Sequence, residues 1–175
     1  MIVTLIRHTS VGVPRGTCYG WSDVPVADSF EVEATLVRER LKGMTFDRVF
    51  TSPLTRARRL AAWCGFADAV IDDRLKEMNM GEWEMQRYED IRDEALQRWY
   101  DDYMHLPATG GESFPMVRRR VGQFLDELRQ KDYRHVAVFA HGGVIVAACL
   151  HVGLYPEEGA FSHQLAYGEV VRLEV

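Results

Sequence analysis

Arg7-His8 closes the apolar run Ile2-Val3-Thr4-Leu5-Ile6, and a second histidine, His141, closes the run Val136-Ala137-Val138-Phe139-Ala140. A third run, Val49-Phe50-Thr51, passes into Ser52-Pro53-Leu54-Thr55-Arg56. Three strand-like segments thus each deliver an Arg or a His at the C-terminal end, the edge of an open α/β sheet where ligands bind. Two imidazoles and two guanidiniums gathered there suit a phosphoryl group, one imidazole attacking as nucleophile while the cations spread over the phosphate oxygens. Taken singly, each has a plainer reading. An Arg-His pair at a strand end is more often structural than catalytic, and a lone buried histidine is often a satisfied core residue. Arg56 with Arg58 and Arg59 reads equally as a solvated helix face, the preferred reading for the latter two. Agreement between separate strand ends is what favours chemistry.

The elements that must position these groups alternate between strand-like runs and helical patterns, the signature of a three-layer α/β/α sandwich with a mostly parallel central sheet. After the first strand, Ser10 to Asp28 is a long Gly- and Pro-containing loop, and loops of that length inside a domain are usually functional, so it is expected to fold over the site. Val32, Leu36, Val37 and Leu41 recur at helical spacing and end near Gly43. The strand around Arg48 to Thr51 leads into a helix with Ser52 as N-cap and Pro53 at its first position, placing Arg56 in the first turn beside free N–H groups. A short strand near Ala69 to Ile71 follows. Helices are expected over Tyr88 to Met104 and Phe114 to Arg129, with a turn from His105 to Glu112. Ala160 to Val175 reads as two edge strands joined at Tyr167-Gly168. His141-Gly142-Gly143 repeats the strand-to-helix placement, its glycines letting a ligand approach the backbone closely.

Composition sets the frame. The 175 residues, 47% hydrophobic and 27% charged, fit one globular domain that buries roughly 70% of its unfolded surface. A net charge of -5 gives no global attraction to nucleic acid or to an anionic membrane, so any anionic ligand must be held by a local cluster. Cys18, Cys64 and Cys149 are odd in number and lack a CxxC, which fits reduced thiols and a cytoplasmic location. No signal-peptide pattern is present, and the longest apolar stretch, Val136 to Leu154, holds two histidines and three glycines, against a membrane span.

The strings Leu5-Ile6-Arg7-His8, Thr51-Ser52-Pro53-Leu54-Thr55-Arg56-Ala57, Leu75-Lys76-Glu77-Met78, Gly110-Gly111-Glu112-Ser113 and Ala140-His141-Gly142-Gly143 together resemble the histidine phosphatase superfamily, also called phosphoglycerate mutase-like, in the family's order and over essentially the whole chain. Within it, the run from Gly16 to Pro25 and Met78-Asn79-Met80-Gly81-Glu82-Trp83-Glu84 look most like the alpha-ribazole phosphatase branch, which dephosphorylates a nucleotide-loop intermediate of cobalamin assembly. The resemblance implies that His8 is the nucleophile, that Arg7, Arg56 and His141 hold the phosphoryl oxygens, and that Glu77 is the acid and base, with Glu82 as its rival and Glu84 close by. Thr9, Cys18, Tyr19, Gly20 and Gly142 would line the substrate site. No cofactor or metal is expected, the arginines supplying the charge that Mg²⁺ supplies elsewhere. The expected partner is a small phosphate monoester, with no nucleic acid and no membrane; a homodimer is left open.

Other features carry two readings. Glu112-Ser113 is read first as a cap for the helix that follows. Trp21 and Trp83 either pack the lid and core or offer a stacking surface to an aromatic base. Three residues depart from the family pattern: Thr9 and Met85 stand where glycine is usual, and Leu60 where threonine is common. The chain is also short for a phosphoglycerate mutase, which favours hydrolysis over mutase chemistry. Among other classes, a zinc hydrolase lacks HExxH or a close Cys/His set, and a P-loop NTPase lacks its glycine-rich loop. A phospho-ligand binding module without turnover is opposed by Glu77, since a carboxylate beside a phosphate weakens ground-state binding.

Overall fold

Five strands form one sheet in the order β3-β2-β4-β1-β5: β1 (Ile2–Arg7), β2 (Arg48–Thr51), β3 (Val70–Ile71), β4 (His135–Ala140) and β5 (Val170–Glu174). All pairings are parallel except β1 with β5, which is antiparallel. The computed structural model describes residues 1–175. β4 lies at the centre and is buried from Val136 to Ala140, as expected of a strand covered on both faces. Alternation along it feeds two cores. Val136, Val138 and Ala140 join Val3 and Leu5 against α4 (Phe114–Leu128) and α5 (Gly142–His151). Ala137 and Phe139 join Ile6 against α1 (Phe30–Arg40) and α2 (Thr55–Trp63). The result is the expected three-layer α/β/α sandwich. No helix is long and apolar enough to cross a membrane.

Several local expectations are corrected. The buried face of α1 is Phe30, Ala34 and Val37, with Leu41 just beyond it, while Val32 and Leu36 are 69% and 56% exposed, so of the four residues at helical spacing only Val37 and Leu41 face the core. α2 starts at Thr55 rather than Pro53 because the cap comes from the loop: Asp23 accepts from the Thr55 N–H at 2.8 Å and from its hydroxyl at 2.6 Å. Ser52 is thereby released for other work.

The helix expected over Tyr88 to Met104 shrinks to α3 (Ala95–Asp101), preceded by a 3₁₀ turn at Tyr88–Asp90. Asp93 starts α3 by accepting from Ala95 N at 2.8 Å, and the residues before it instead pair with the long loop, Tyr88 N donating to Gly16 O at 3.0 Å. The two final strands are one. Ala160–His163 is a 3₁₀ turn, Gly168 has φ +70°, and the stretch between covers Arg7, leaving only β5 at the edge. α4 spans Phe114–Leu128, within one residue of the expectation.

Candidate active site

The ladder continues one residue past each strand: His8 N donates to Ala140 O at 3.1 Å and Ser52 N to Phe139 O at 3.0 Å. Arg7 is in register with Ala140, so His8 and His141 emerge side by side, their ring centroids 5.1 Å apart. Both are buried, at 2% and 0% exposure.

His8 Nδ1 donates to its neighbour's carbonyl, Thr9 O, at 2.7 Å, which leaves the Nε2 lone pair free. Burial lowers its pKa to about 3, helped by Arg56 and Arg7 and opposed by the Thr9 carbonyl. The ring is therefore an unprotonated imidazole at neutral pH, the form that attacks phosphorus. His141 is also held neutral, by burial and then by Arg56. Its Nε2 meets Ser52 Oγ at 2.8 Å. Leu54 N donates to that oxygen at 3.3 Å, and His141 Nε2 is the one acceptor within reach of the buried hydroxyl's own proton, so the proton goes to Nε2 and Nδ1–H is left as a donor.

Arg56 is fully buried and bridges to the long loop, donating to Gly20 O at 2.7 Å and Ser22 O at 2.9 Å. Arg7 donates to Leu165 O. Each arginine lies over a tyrosine ring, Arg7 Cζ at 4.3 Å from the centroid of Tyr167 and Arg56 Cζ at 5.2 Å from that of Tyr19, and the two phenols meet at 2.7 Å. The loop is further clasped by Glu84, whose carboxylate accepts from Trp21 N and Ser22 N, both at 2.6 Å, and from the Ser22 hydroxyl.

Five buried side-chain polar atoms in the protein lack a hydrogen-bond partner, and four cluster here: Arg7 Nε, Thr9 Oγ1, Arg56 Nε and His141 Nδ1. Such atoms are rare because they cost free energy. Three are N–H donors and the fourth a hydroxyl, so together they present the polarity that an oxyanion such as a phosphoryl group satisfies.

Glu77 is half-buried, its Oε2 accepting from Gly143 N at 3.1 Å and its Oε1 from Met78 N at 2.9 Å. Its backbone is fixed from behind by Arg120, which donates to Lys76 O at 2.6 Å, to Glu77 O at 3.0 Å and to both Glu112 oxygens. Glu112 is thus a buried partner for Arg120 and for Asn79 N rather than a helix cap, and Ser113 makes no side-chain cap bond either.

The other two carboxylates lie elsewhere: Glu82 is exposed and borders a separate cleft with Arg92 and Arg98, and Glu84 is occupied in the loop. Beside Glu77 opens a hollow of about 360 Å³ walled by Tyr19, Met80, Tyr88, Trp99, Tyr103 and Phe161 among others, with Gly143 and Gln164 at the same wall.

Of the expected substrate-lining residues, Tyr19 is placed here, and Gly20 and Gly142 pack tightly at the site. A Cβ on Gly20 would lie 1.8 Å from Met78 O, and one on Gly142 would lie 2.1 Å from Gln164 Nε2. Cys18 is corrected: it is fully buried in the core and is not a wall of the hollow. Of the two readings left open for the tryptophans, Trp83 takes the core one, being 1% exposed with its N–H on Asp93, whereas Trp21 is exposed beside Lys76. Gly143 as a donor, Arg120 and Trp99 are not assigned to the site from the sequence, and Ser52 and Tyr167 are read there only as a helix cap and a turn. Only Gly143, in the His-Gly-Gly string, carried a local signal.

A profile of the histidine phosphatase superfamily (branch 1) matches residues 3–175, and the chain belongs to that family. It is 30% identical over 159 residues to the adenosylcobalamin/alpha-ribazole phosphatase of Escherichia coli (strain K12), covering 83% of this chain and 75% of that protein. Its fold is similar to the alpha-ribazole phosphatase from Shigella flexneri, with TM-score 0.87, 25% identity and coverage of 100% and 91% of the two chains. It is also similar to the phosphoglycerate mutase from Thermus thermophilus, with TM-score 0.78, 28% identity and coverage of 99% and 93%. The protein is accordingly a phosphomonoesterase of the histidine phosphatase type.

Proposed function

We propose that the protein hydrolyses alpha-ribazole 5'-phosphate by way of a phosphohistidine on His8, without a metal. His8 Nε2 attacks phosphorus while the ester P–O bond breaks; Arg7, Arg56 and His141 Nδ1–H neutralise the charge on the equatorial oxygens. Glu77 gives its proton to the departing alkoxide, then takes one from the water that attacks the phosphohistidine, so that Nε2 leaves as free imidazole and inorganic phosphate is released. The cluster of four unpartnered polar atoms around a neutral, buried imidazole is the observation that carries this reading.

The substrate assignment is supported by the alpha-ribazole phosphatases among the relatives and by the hollow beside Glu77. A second reading, phosphoglycerate mutase-type transfer, has the Thermus structure in its favour. It is opposed by the hollow, whose only charged wall residue is Glu77, so a substrate carboxylate meets no cation there and a carboxylate instead.

The test is kcat/KM for phosphate release in EDTA from alpha-ribazole 5'-phosphate, 3-phosphoglycerate, AMP and an aryl phosphate, with His8→Ala as control. A marked preference for the ribazole ester, lost in the variant, is the expected result. Equal slow rates on all four esters would retain the phosphatase and reject the substrate.

A further inference from the structure

The fifth unpartnered buried polar atom is the indole N–H of Trp99, and Trp99 is a wall of the hollow beside Glu77. The contrast with its neighbour is informative. Trp83 packs edge-on against Trp99 at 5.7 Å, and its own N–H is satisfied by Asp93 at 2.8 Å. Trp99 has the same chemistry and no partner, although aromatic residues surround it: Tyr100 at 5.7 Å and Tyr103 at 6.1 Å, with Phe161 at 5.5 Å from Tyr103. Buried indole N–H groups normally find an acceptor, and one without an acceptor points to a missing molecule.

We infer that Trp99 determines specificity for the leaving group, its indole N–H donating to an in-plane ring nitrogen of a flat, uncharged aromatic base seated in the hollow. Three further observations support this. Glu77 and Gly143 border both the hollow and the phosphate cradle, so a group in the hollow is joined to the scissile ester across the proton donor. The walls are aromatic and thioether surfaces, which favour stacking with a ring and disfavour a charged substituent. The volume of about 360 Å³ lies within the range of small-molecule sites, roughly 300–1,000 Å³. The inference rests on the phosphatase reading for the identity of the ligand as a leaving group, but the hollow can be probed without turnover.

The experiment compares two ribosides that differ in one atom, benzimidazole riboside, which carries the ring-nitrogen acceptor, and indole riboside, which lacks it. Calorimetry reads binding of both nucleosides, and kcat/KM reads hydrolysis of their 5'-phosphates, for the wild type and for Trp99→Phe and Trp99→Leu. The wild type is expected to favour benzimidazole by about threefold to tenfold, the range of one neutral hydrogen bond.

Trp99→Phe keeps an aromatic wall and brings that ratio to about one, with the indole compound bound and hydrolysed nearly as before. Trp99→Leu weakens both compounds. A wall residue with a purely structural role would slow both compounds equally and leave the ratio alone. A ratio unchanged in Trp99→Phe, or no preference in the wild type, overturns the inference. If neither ester turns over but the calorimetric ratio behaves as expected, the phosphatase reading has failed and the assignment of the hollow stands.

Discussion

Gly143 holds Glu77 in place by having no side chain. Its N–H donates to Glu77 Oε2 at 3.1 Å, and the position a Cβ would occupy lies 2.5 Å from Glu77 Oε1. A carboxylate oxygen cannot share that space, so Gly143→Ala must turn the Glu77 side chain away from its amide donor. The backbone of residue 143 is helical and buried, and alanine is a better helix former than glycine, so the fold itself is not the casualty. The expected outcome is a fall in kcat on the order of 10²-fold, the range for loss of a positioned acid and base, with the affinity for inorganic phosphate within a few fold of wild type. Steady-state kinetics with phosphate as product inhibitor reads both. Weakened phosphate affinity at unchanged kcat would place the effect on the cradle instead.

Met85 is the one non-glycine residue with a positive φ, +64°, and its side chain is 53% exposed. The left-handed region costs an L-residue about 1–2 kcal/mol, whereas glycine costs about 0.5–1 kcal/mol through its freer unfolded chain. The balance favours glycine. Met85→Gly is expected to stabilise the protein by roughly 0.5–1 kcal/mol, about 1–4 °C in Tm for a chain of this size, with no change in KM. A calorimetric melt checks it, and a lowered Tm would show that the exposed methionine contributes packing that outweighs the strain.

What could be read from the chain divides along the same line as local and long-range physics. Arg7, His8, Arg56 and His141 were legible because each ends a strand-like run, and the sheet alone brings strand ends together. Met85 stood out as a departure from a glycine pattern, but the positive φ behind that departure is a property of the folded backbone. The start of α2 was not, because its cap is Asp23, far away in sequence, which leaves Ser52 to serve His141. The role of Glu112 was misread because Arg120 reaches it from within α4, and no spacing rule announces a buried ion pair. The segment Ala160 to Val175 had the composition of a hairpin, but Arg7 draws Leu165 out of any ladder, so only its last part forms a strand. Trp99 was passed over for Trp21 and Trp83 because no local pattern distinguishes a wall of the hollow from a core residue.

Acid should destabilise the protein partly through His8. Its folded pKa, about 3, is below the ordinary 6.5, so between those values the unfolded chain takes up a proton that the folded state refuses. Stability from this group is complete above pH 6.5 and is lost as the pH falls towards 3, since the unfolded state then binds more protons. His141 acts with the same sign. Urea midpoints in phosphate-free buffer should therefore decline less steeply with falling pH in His8→Asn than in wild type. Expressed as unfolding free energy, the difference in slope approaches that of one proton, about 1.4 kcal/mol per pH unit. Parallel curves would mean that His8 is protonated in the folded protein.

Ser52 fixes the tautomer of His141, and the consequence is measurable at the phosphate. Because the buried Ser52 hydroxyl has no acceptor for its proton other than His141 Nε2, the proton is directed there, and Nδ1–H faces the cradle as a donor. In Ser52→Ala both consequences are reversed at once: Nε2 loses its proton donor, and the Nδ1-protonated form is no longer preferred. The cost to phosphate affinity is expected to be about threefold to tenfold, one hydrogen bond's range, whereas removing the ring by His141→Ala costs more. Ser52→Thr keeps the hydroxyl and should recover most of the loss if the added methyl is accommodated at this fully buried position. Nitrogen chemical shifts of His141 report the tautomer directly. An Nδ1-protonated ring in wild type that becomes a mixture in Ser52→Ala supports the assignment, while an Nε2-protonated ring in wild type sinks it, because His141 would then point a lone pair at an oxyanion.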